Sequence, residues 1–258
     1  MSDFPLPNVS NDLTGHVALV TGTTSGLGRR FAKVIAACGA GVALTGRRTE
    51  RLDELAEEIR ADGGTCEPIP FDITDPDQIP IVVDKAEAAL GLVDILVNNA
   101  GIPDAQRAHK MSNDFVDQVF STNLTGPWKL SCEVARRLMD AGKPGRMVNI
   151  SSVGGFRYDG NGAALYSVTK SAIVRMTECL AVEWSRFNIN VNAIAPGAFS
   201  SEMMDGMLER MGDFSQQFPR KRICDPAQMD STLLYFLSPA SECVTGTYVK
   251  IDDGQGPR

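Results

Sequence analysis

The sequence predicts a single α/β domain: a doubly wound, parallel, seven-stranded sheet with helices on both faces. Three observations carry that expectation. Short apolar runs alternate with helix-period segments along the whole 258-residue chain. The runs lack polar alternation, as strands buried on both faces do. Repeated β-α units in turn imply parallel neighbours joined by right-handed crossovers. No composition shift or repeat divides the chain, so residues 1–258 read as one domain with an N-terminal extension at 1–13.

In order, HVALVTG opens the sheet, and Leu27, Phe31, Val34, Ile35 and Cys38 form the apolar stripe of a first helix. GVALTG follows, then a helix over 50–62. TCEPIPFD is a strand whose Pro68 and Pro70 cannot donate to a ladder, which places it at a sheet edge. A helix over about 79–90 leads to VDILVNN. The next helix, from about 112 to 140, should bend or break at Gly126-Pro127. GRMVNISS, INVNAIAPG and TGTYVKID complete the strands.

Bulk properties narrow the function. Apolar residues at 43% provide for a sizeable core, and the net charge of −7 argues against a nucleic-acid partner. No apolar run is long enough for a membrane span. The amino terminus lacks the build of a signal peptide, so the expected location is cytoplasmic. Six scattered cysteines suit a reducing compartment, and His16 and His109 are the only histidines, so no metal site is expected.

The turn TGTTSGLG, Thr21 to Gly28, joins the first strand directly to the first helix. Glycines there permit positive φ and let backbone N–H groups approach an anion. The helix N-terminus adds donors and dipole, which makes a pyrophosphate the natural occupant. The spacing is G-x-x-x-G-x-G. Past the second strand, where a carboxylate would hold the ribose 2′-hydroxyl of NAD, the chain has Gly46 followed by Arg47 and Arg48. A guanidinium can hold a 2′-phosphate bidentately, so NADP(H) is the expected cofactor, with NAD(H) possible.

One more stretch resists a structural reading. In GAALYSVTKSAIVRM, Tyr166 and Lys170 share a helical stripe with Ile173, Met176, Leu180 and Trp184, within roughly 120° of the circumference. An unpaired ammonium is expensive against a core. The first turns therefore reach solvent or face a site that uses the charge.

With TGTTSGLG, NNAG, NISS, YSVTK and APG in that order, the chain resembles the classical short-chain dehydrogenases/reductases over about residues 14–254. The resemblance implies a Rossmann fold, a hydride transfer between nicotinamide and a ketone or secondary alcohol, and a homotetramer. It assigns catalysis to Asn123, Ser152, Tyr166 and Lys170. Gly22, Thr24, Ser25, Gly26, Leu27 and Gly28 would cradle the cofactor, with Arg47 at the 2′-phosphate and Asp72 and Ile73 beside the adenine. Asn99, Ala100 and Gly101 would follow the adenosine ribose. Tyr166 and Lys170 would hold the nicotinamide ribose, and Pro196, Gly197, Phe199 and Ser201 would flank the nicotinamide. Ser201 stands where the family usually has threonine.

The interval from Ser152 to Tyr166 is one residue longer than is commonest in the family, and the loop GGFRYDGNG is expected to absorb it. Tyr166 is the expected acid/base, with the Lys170 ammonium lowering the phenol pKa. Ser152 would donate to the reacting oxygen. A carbonyl freed near Asn123 would hold a water that relays protons to Lys170.

Residues 199–225 read as a substrate lid. Phe199, Met203, Met204, Met207, Met211, Phe214 and Phe218 would make it apolar, and Arg220, Lys221 and Arg222 would receive an anionic carrier or thioester. The expected substrate is a small ketone or alcohol, foremost a 3-oxoacyl thioester. Alternatives are a polyol or sugar-acid dehydrogenase and, in another class, a non-catalytic NADP-binding sensor or scaffold.

Overall fold

The computed structural model describes residues 4–158, 160 and 162–256. Seven strands form one sheet: β1 (Val17–Thr21), β2 (Gly41–Gly46), β3 (Thr65–Pro70), β4 (Ile95–Asn98), β5 (Gly145–Ile150), β6 (Ile189–Pro196) and β7 (Tyr248–Ile251). All pairings are parallel, in the order β3-β2-β1-β4-β5-β6-β7. The proline-bearing β3 lies at the edge and pairs with β2 alone, Leu44 opposite Pro68. Chain order reverses between β1 and β4, which opens a crevice beyond the carboxyl ends of the strands.

Helices α1 (Gly26–Ala37), α2 (Thr49–Ala61) and α8 (Asp230–Leu237) cover one face, with Phe31, Ile35, Leu52 and Phe236 in their core. On the other lie α3 (Gln78–Leu90), α5 (Gly126–Ala141) and α6 (Ala164–Trp184), packed through Val83, Leu130, Ile173 and Trp184. Two shorter helices, α4 (Asn113–Phe120) and α7 (Glu202–Met211), precede α5 and follow β6.

Three details differ from the sequence pattern. The buried face of α1 is Gly28, Phe31, Ala32, Ile35 and Ala36, whereas Val34 and Cys38 are half-buried. Small residues bring that helix close to the sheet and rotate the stripe. Helix 112–140 does not break at Gly126-Pro127. Its irregularity is a π turn at Ser121–Thr125, and Pro127 occupies the first turn of α5, where its missing N–H is harmless. Gly126 is needed for contact: a Cβ there would meet the Ile73 side chain and carbonyl at 2.6 Å. The third is α8, which no periodicity singled out. Its signal lies just upstream, where the capping box of Asp225 and Gln228, with Pro226 between them, opens the 3₁₀ turn Pro226–Met229 that leads into it.

Candidate active site

The crevice is a cleft of about 1260 Å³ that runs from the glycine-rich turn, past the ends of β4 and β5, to α7. Every candidate site residue from the sequence lines it except Gly28 and Asn123. Those two act from behind the wall. A Cβ at Gly28 would collide with the Gly22 carbonyl and the Asn99 amide. Asn99 in turn donates to the Thr21 and Gly22 carbonyls at 2.9 and 3.2 Å, while its own N–H and that of Ala100 donate to Thr21 Oγ1. Turn and N-N-A-G run are thus fastened together by two side chains, the Asn99 amide and the Thr21 hydroxyl, each on the other's backbone.

This cradle suits a dinucleotide. Gly22 adopts φ +72, and Ser25 at the N-cap of α1 offers no side-chain hydrogen bond to the helix. No acidic side chain occupies the first turn of α1. The leading N–H groups are therefore left for an anion. At the outer end, Arg47 is exposed on the cleft with no partner among the described residues. Arg48 is committed elsewhere: it donates to Thr24 and Ser25 hydroxyls and pairs with Glu202 at 2.9 Å. Asp72 caps its own turn through the Thr74 N–H and hydroxyl, beside buried Ile73.

The proton-handling residues meet at the inner end. Lys170 is 4% exposed, donates to the Ile150 carbonyl at 2.8 Å and lies 5.5 Å from the Tyr166 ring centroid. Burial lowers its pKa from 10.5 to about 8. The expectation that Lys170 pulls the phenol down is not met: the Tyr166 pKa is raised. Burial dominates the shift, the Ser152 hydroxyl partly offsets it, and the Asp104 carboxylate adds to it. Ser152 keeps its place beside Tyr166 despite the longer interval, its Oγ accepting from the Gly154 N–H at 3.1 Å. The extra residue's expected loop includes positions 159 and 161, which lie outside the described residues.

Asn123 sits in the π turn and grips Ile102 from both sides, accepting from its N–H at 2.8 Å and donating to its carbonyl at 2.9 Å. A Cβ on Gly101 would stand 3.4 Å from both Asn123 Oδ1 and Lys170 Nζ, which places this glycine between the two side chains. Pro196 and Gly197 end β6 on the cleft floor. Ser201 is the N-cap of α7, accepting from the Met204 N–H. Phe199 lines the cleft but is packed in the buried core, which leaves it little room to adapt. Met203, Met204, Met207, Met211, Phe214 and Phe218 do line the cleft.

The basic trio is not an open anion site. Arg220 and Arg222 both pair with Asp253, at 2.9 and 2.7 Å. That ties the end of the 199–225 segment to the carboxyl-terminal tail. Sequence reasoning missed the tail residue Gln255, whose amide brackets Ala198 by accepting from its N–H and donating to its carbonyl. It also missed Asp104, and in both cases local pattern carries no signal for a contact made across the fold. Among the described residues, no helix is long and apolar enough to cross a membrane and no cluster is suited to a metal.

Comparison with known proteins agrees with this geometry. Residues 16–211 match the short chain dehydrogenase family. A gluconate 5-dehydrogenase of Gluconobacter oxydans is 34% identical over 94% of this chain and 95% of its own. A 3-oxoacyl-[acyl-carrier-protein] reductase of Thermotoga maritima is 33% identical over 94% and 98%. Among solved structures, an actinorhodin polyketide ketoreductase variant with NADPH superposes with a TM-score of 0.89 at 30% identity, covering 94% of this chain and 98% of that one.

Proposed function

The chain belongs to the short-chain dehydrogenase family, and on that premise we propose that it is an NADPH-dependent reductase of ketones, foremost of 3-oxoacyl thioester-like substrates. It is an oxidoreductase acting on CH–OH/C=O groups. The observation that carries the finer reading is the meeting of Ser152, Tyr166 and Lys170 at the inner end of the cleft, with an uncommitted Arg47 at its outer end.

When bound, the nicotinamide cofactor supplies the hydride. The protein orients the carbonyl and supplies the proton. Ser152 Oγ donates to the carbonyl oxygen as negative charge develops there. Tyr166 Oη gives that oxygen its proton, and a phenol held above its ordinary pKa is fully in the acid form at neutral pH. Lys170 Nζ resupplies the phenol, through a water that the π turn at Asn123 would hold. Arg47 would take the 2′-phosphate, with no carboxylate at Gly46 to oppose it. Asp72 and Ile73 would face the adenine and Ser201 the carboxamide.

Residues 199–225 would act as a lid over the substrate. Its methionines and phenylalanines, with Phe156 and Tyr158 opposite, favour an acyl or aryl chain over a polyol. A sugar-acid dehydrogenase is the second reading. It is supported by Lys250 on the cleft, which could meet a carboxylate, and by the gluconate 5-dehydrogenase relative.

Titration with NADPH and NADH, alongside Arg47→Ala, tests the cofactor site. The expected result is tighter NADPH binding that the variant loses; equal binding of both cofactors would overturn the NADP assignment. Turnover of acetoacetyl thioesters exceeding that of 5-ketogluconate would support the first reading, and the reverse order the second. A Tyr166→Phe enzyme should lose about 10²- to 10⁴-fold in turnover. A sensor or scaffold would show no turnover to lose.

A further inference from the structure

Asp104 follows the N-N-A-G-I-P run after β4 and is 1% exposed. Its Oδ2 accepts from the backbone N–H groups of Leu165 and Tyr166 at 2.8 and 3.1 Å. It thereby caps the first turn of α6 from a neighbouring loop, at the residue that bears the phenol. Ala163, at the helix's own N-cap, provides no side-chain acceptor. The loop is pinned there twice over. Gln106 bridges to Ala163, and Ala105 between them is held at φ +40, a conformation non-glycine residues seldom adopt.

Oδ1 finds no hydrogen-bond partner, and no cation pairs with Asp104 among the described residues. A buried carboxylate in that state is expensive. Asparagine or serine would cap the same two N–H groups without the charge. Retaining a charge where a neutral acceptor suffices implies that the charge itself acts.

We propose that Asp104 is a positioning residue for the proton donor: it seats Tyr166 in the first turn of α6, and its charge keeps the phenol in its proton-bearing form. The proposal deepens the assignment of Tyr166 as general acid and rests on it. A negative charge beside a phenol opposes phenolate, the form an alcohol oxidation needs, and favours the phenol that a reduction consumes.

Of the other groups near the ring, the Lys170 ammonium, 5.5 Å from the ring centroid, opposes the carboxylate. Lys170, on α6 itself, directs its ammonium to the Ile150 carbonyl. Ser152, from the loop after β5, presents a hydroxyl. Lys250, on β7, stands over the Phe156 ring at 4.3 Å, and Arg157 on the cleft has a partner of its own. From α4, Asp114 and Asp117 are exposed to solvent.

Asp104→Asn keeps an oxygen for the two N–H groups and removes the charge; Asp104→Ser is the alternative if that protein folds poorly. Ultraviolet titration of tyrosinate, each protein minus its Tyr166→Phe counterpart, reads the phenol whether or not substrate turns over. The expected result is a midpoint lower by about one pH unit, the scale of a nearby like charge. With ethyl acetoacetate as probe, the alkaline limb of the pH profile for reduction should move down by the same amount. NADPH affinity should stay within about twofold of wild type. An unchanged midpoint would overturn the proposal and leave Asp104 as a helix cap only. Full turnover by Tyr166→Phe would instead sink the general-acid assignment, and the midpoint would still report on the charge.

Discussion

Lys170 carries an unusual burden for a single side chain. Its ammonium is nearly buried, one carbonyl is its only hydrogen-bond acceptor among the described residues, and burial lowers its pKa to about 8. The unfolded chain therefore holds this proton more tightly than the folded one. The penalty is present in full below about pH 8 and fades as pH rises toward the unfolded value of 10.5, so its contribution to stability improves across that window. Lys170→Met should remove the penalty and the chemistry together. At pH 7 its unfolding free energy in urea is expected to exceed wild type by about 1–2 kcal/mol, the Ile150 carbonyl left behind taking back part of the gain. By pH 10 the difference should close. Turnover should fall by about 10²-fold or more. A variant no more stable than wild type at pH 7 would show that the ammonium is better solvated than its burial implies. The position of Lys170 on an apolar stripe is legible in sequence; the direction of the Tyr166 shift is not, because burial sets it first and burial belongs to the whole fold.

Among the elements, the turn between β1 and α1 is the one whose sequence dictates its structure most fully. Gly28 has no freedom to change, since any Cβ would enter the Gly22 carbonyl and the Asn99 amide. Gly28→Ala must therefore push the turn away from β4. NADPH affinity is expected to fall at least about tenfold, and the melting temperature by several degrees, as overpacking of about 1–3 kcal/mol predicts. Isothermal titration and a thermal melt check the two effects, and an alanine variant that binds normally would contradict the fastening seen here. The α4-α5 junction is less legible. A Gly-Pro pair announces an irregularity, but the ladder loosens in the preceding turn, which places Asn123 against Ile102.

At the scale of the molecule, the 199–225 segment is a loop with a closed neck. Cys224 exchanges backbone hydrogen bonds with Ala198 and Ser200, and Phe199 bridges to Cys224. The carboxyl-terminal tail locks that neck through Gln255 on Ala198 and Asp253 on Arg220 and Arg222. Asp253→Asn preserves a residue that tolerates the φ of +52 found there and removes the charge. Exposed pairs contribute about 0.2–1 kcal/mol each, so KM should rise about two- to fivefold with kcat nearly unchanged. Trypsin should cut faster after Arg220 and Arg222. An unaltered KM and cleavage rate would show that the neck holds without these ion pairs.

The sequence by itself determined the sheet, the edge position of β3, the dinucleotide cradle and the pairing of Tyr166 with Lys170. Each of these is written in local chemistry: apolar period, proline without a donor, glycine spacing, two side chains one helical turn apart. Only the tertiary structure decided which arginine of the Arg47-Arg48 pair is free, because Glu202, the partner that occupies Arg48, comes from α7. It also decided that Arg220 and Arg222 of the basic trio are taken up by Asp253, and that a buried carboxylate stands at the start of α6. Those outcomes depend on charges brought together from distant parts of the chain, and their strength depends on burial that no single segment encodes.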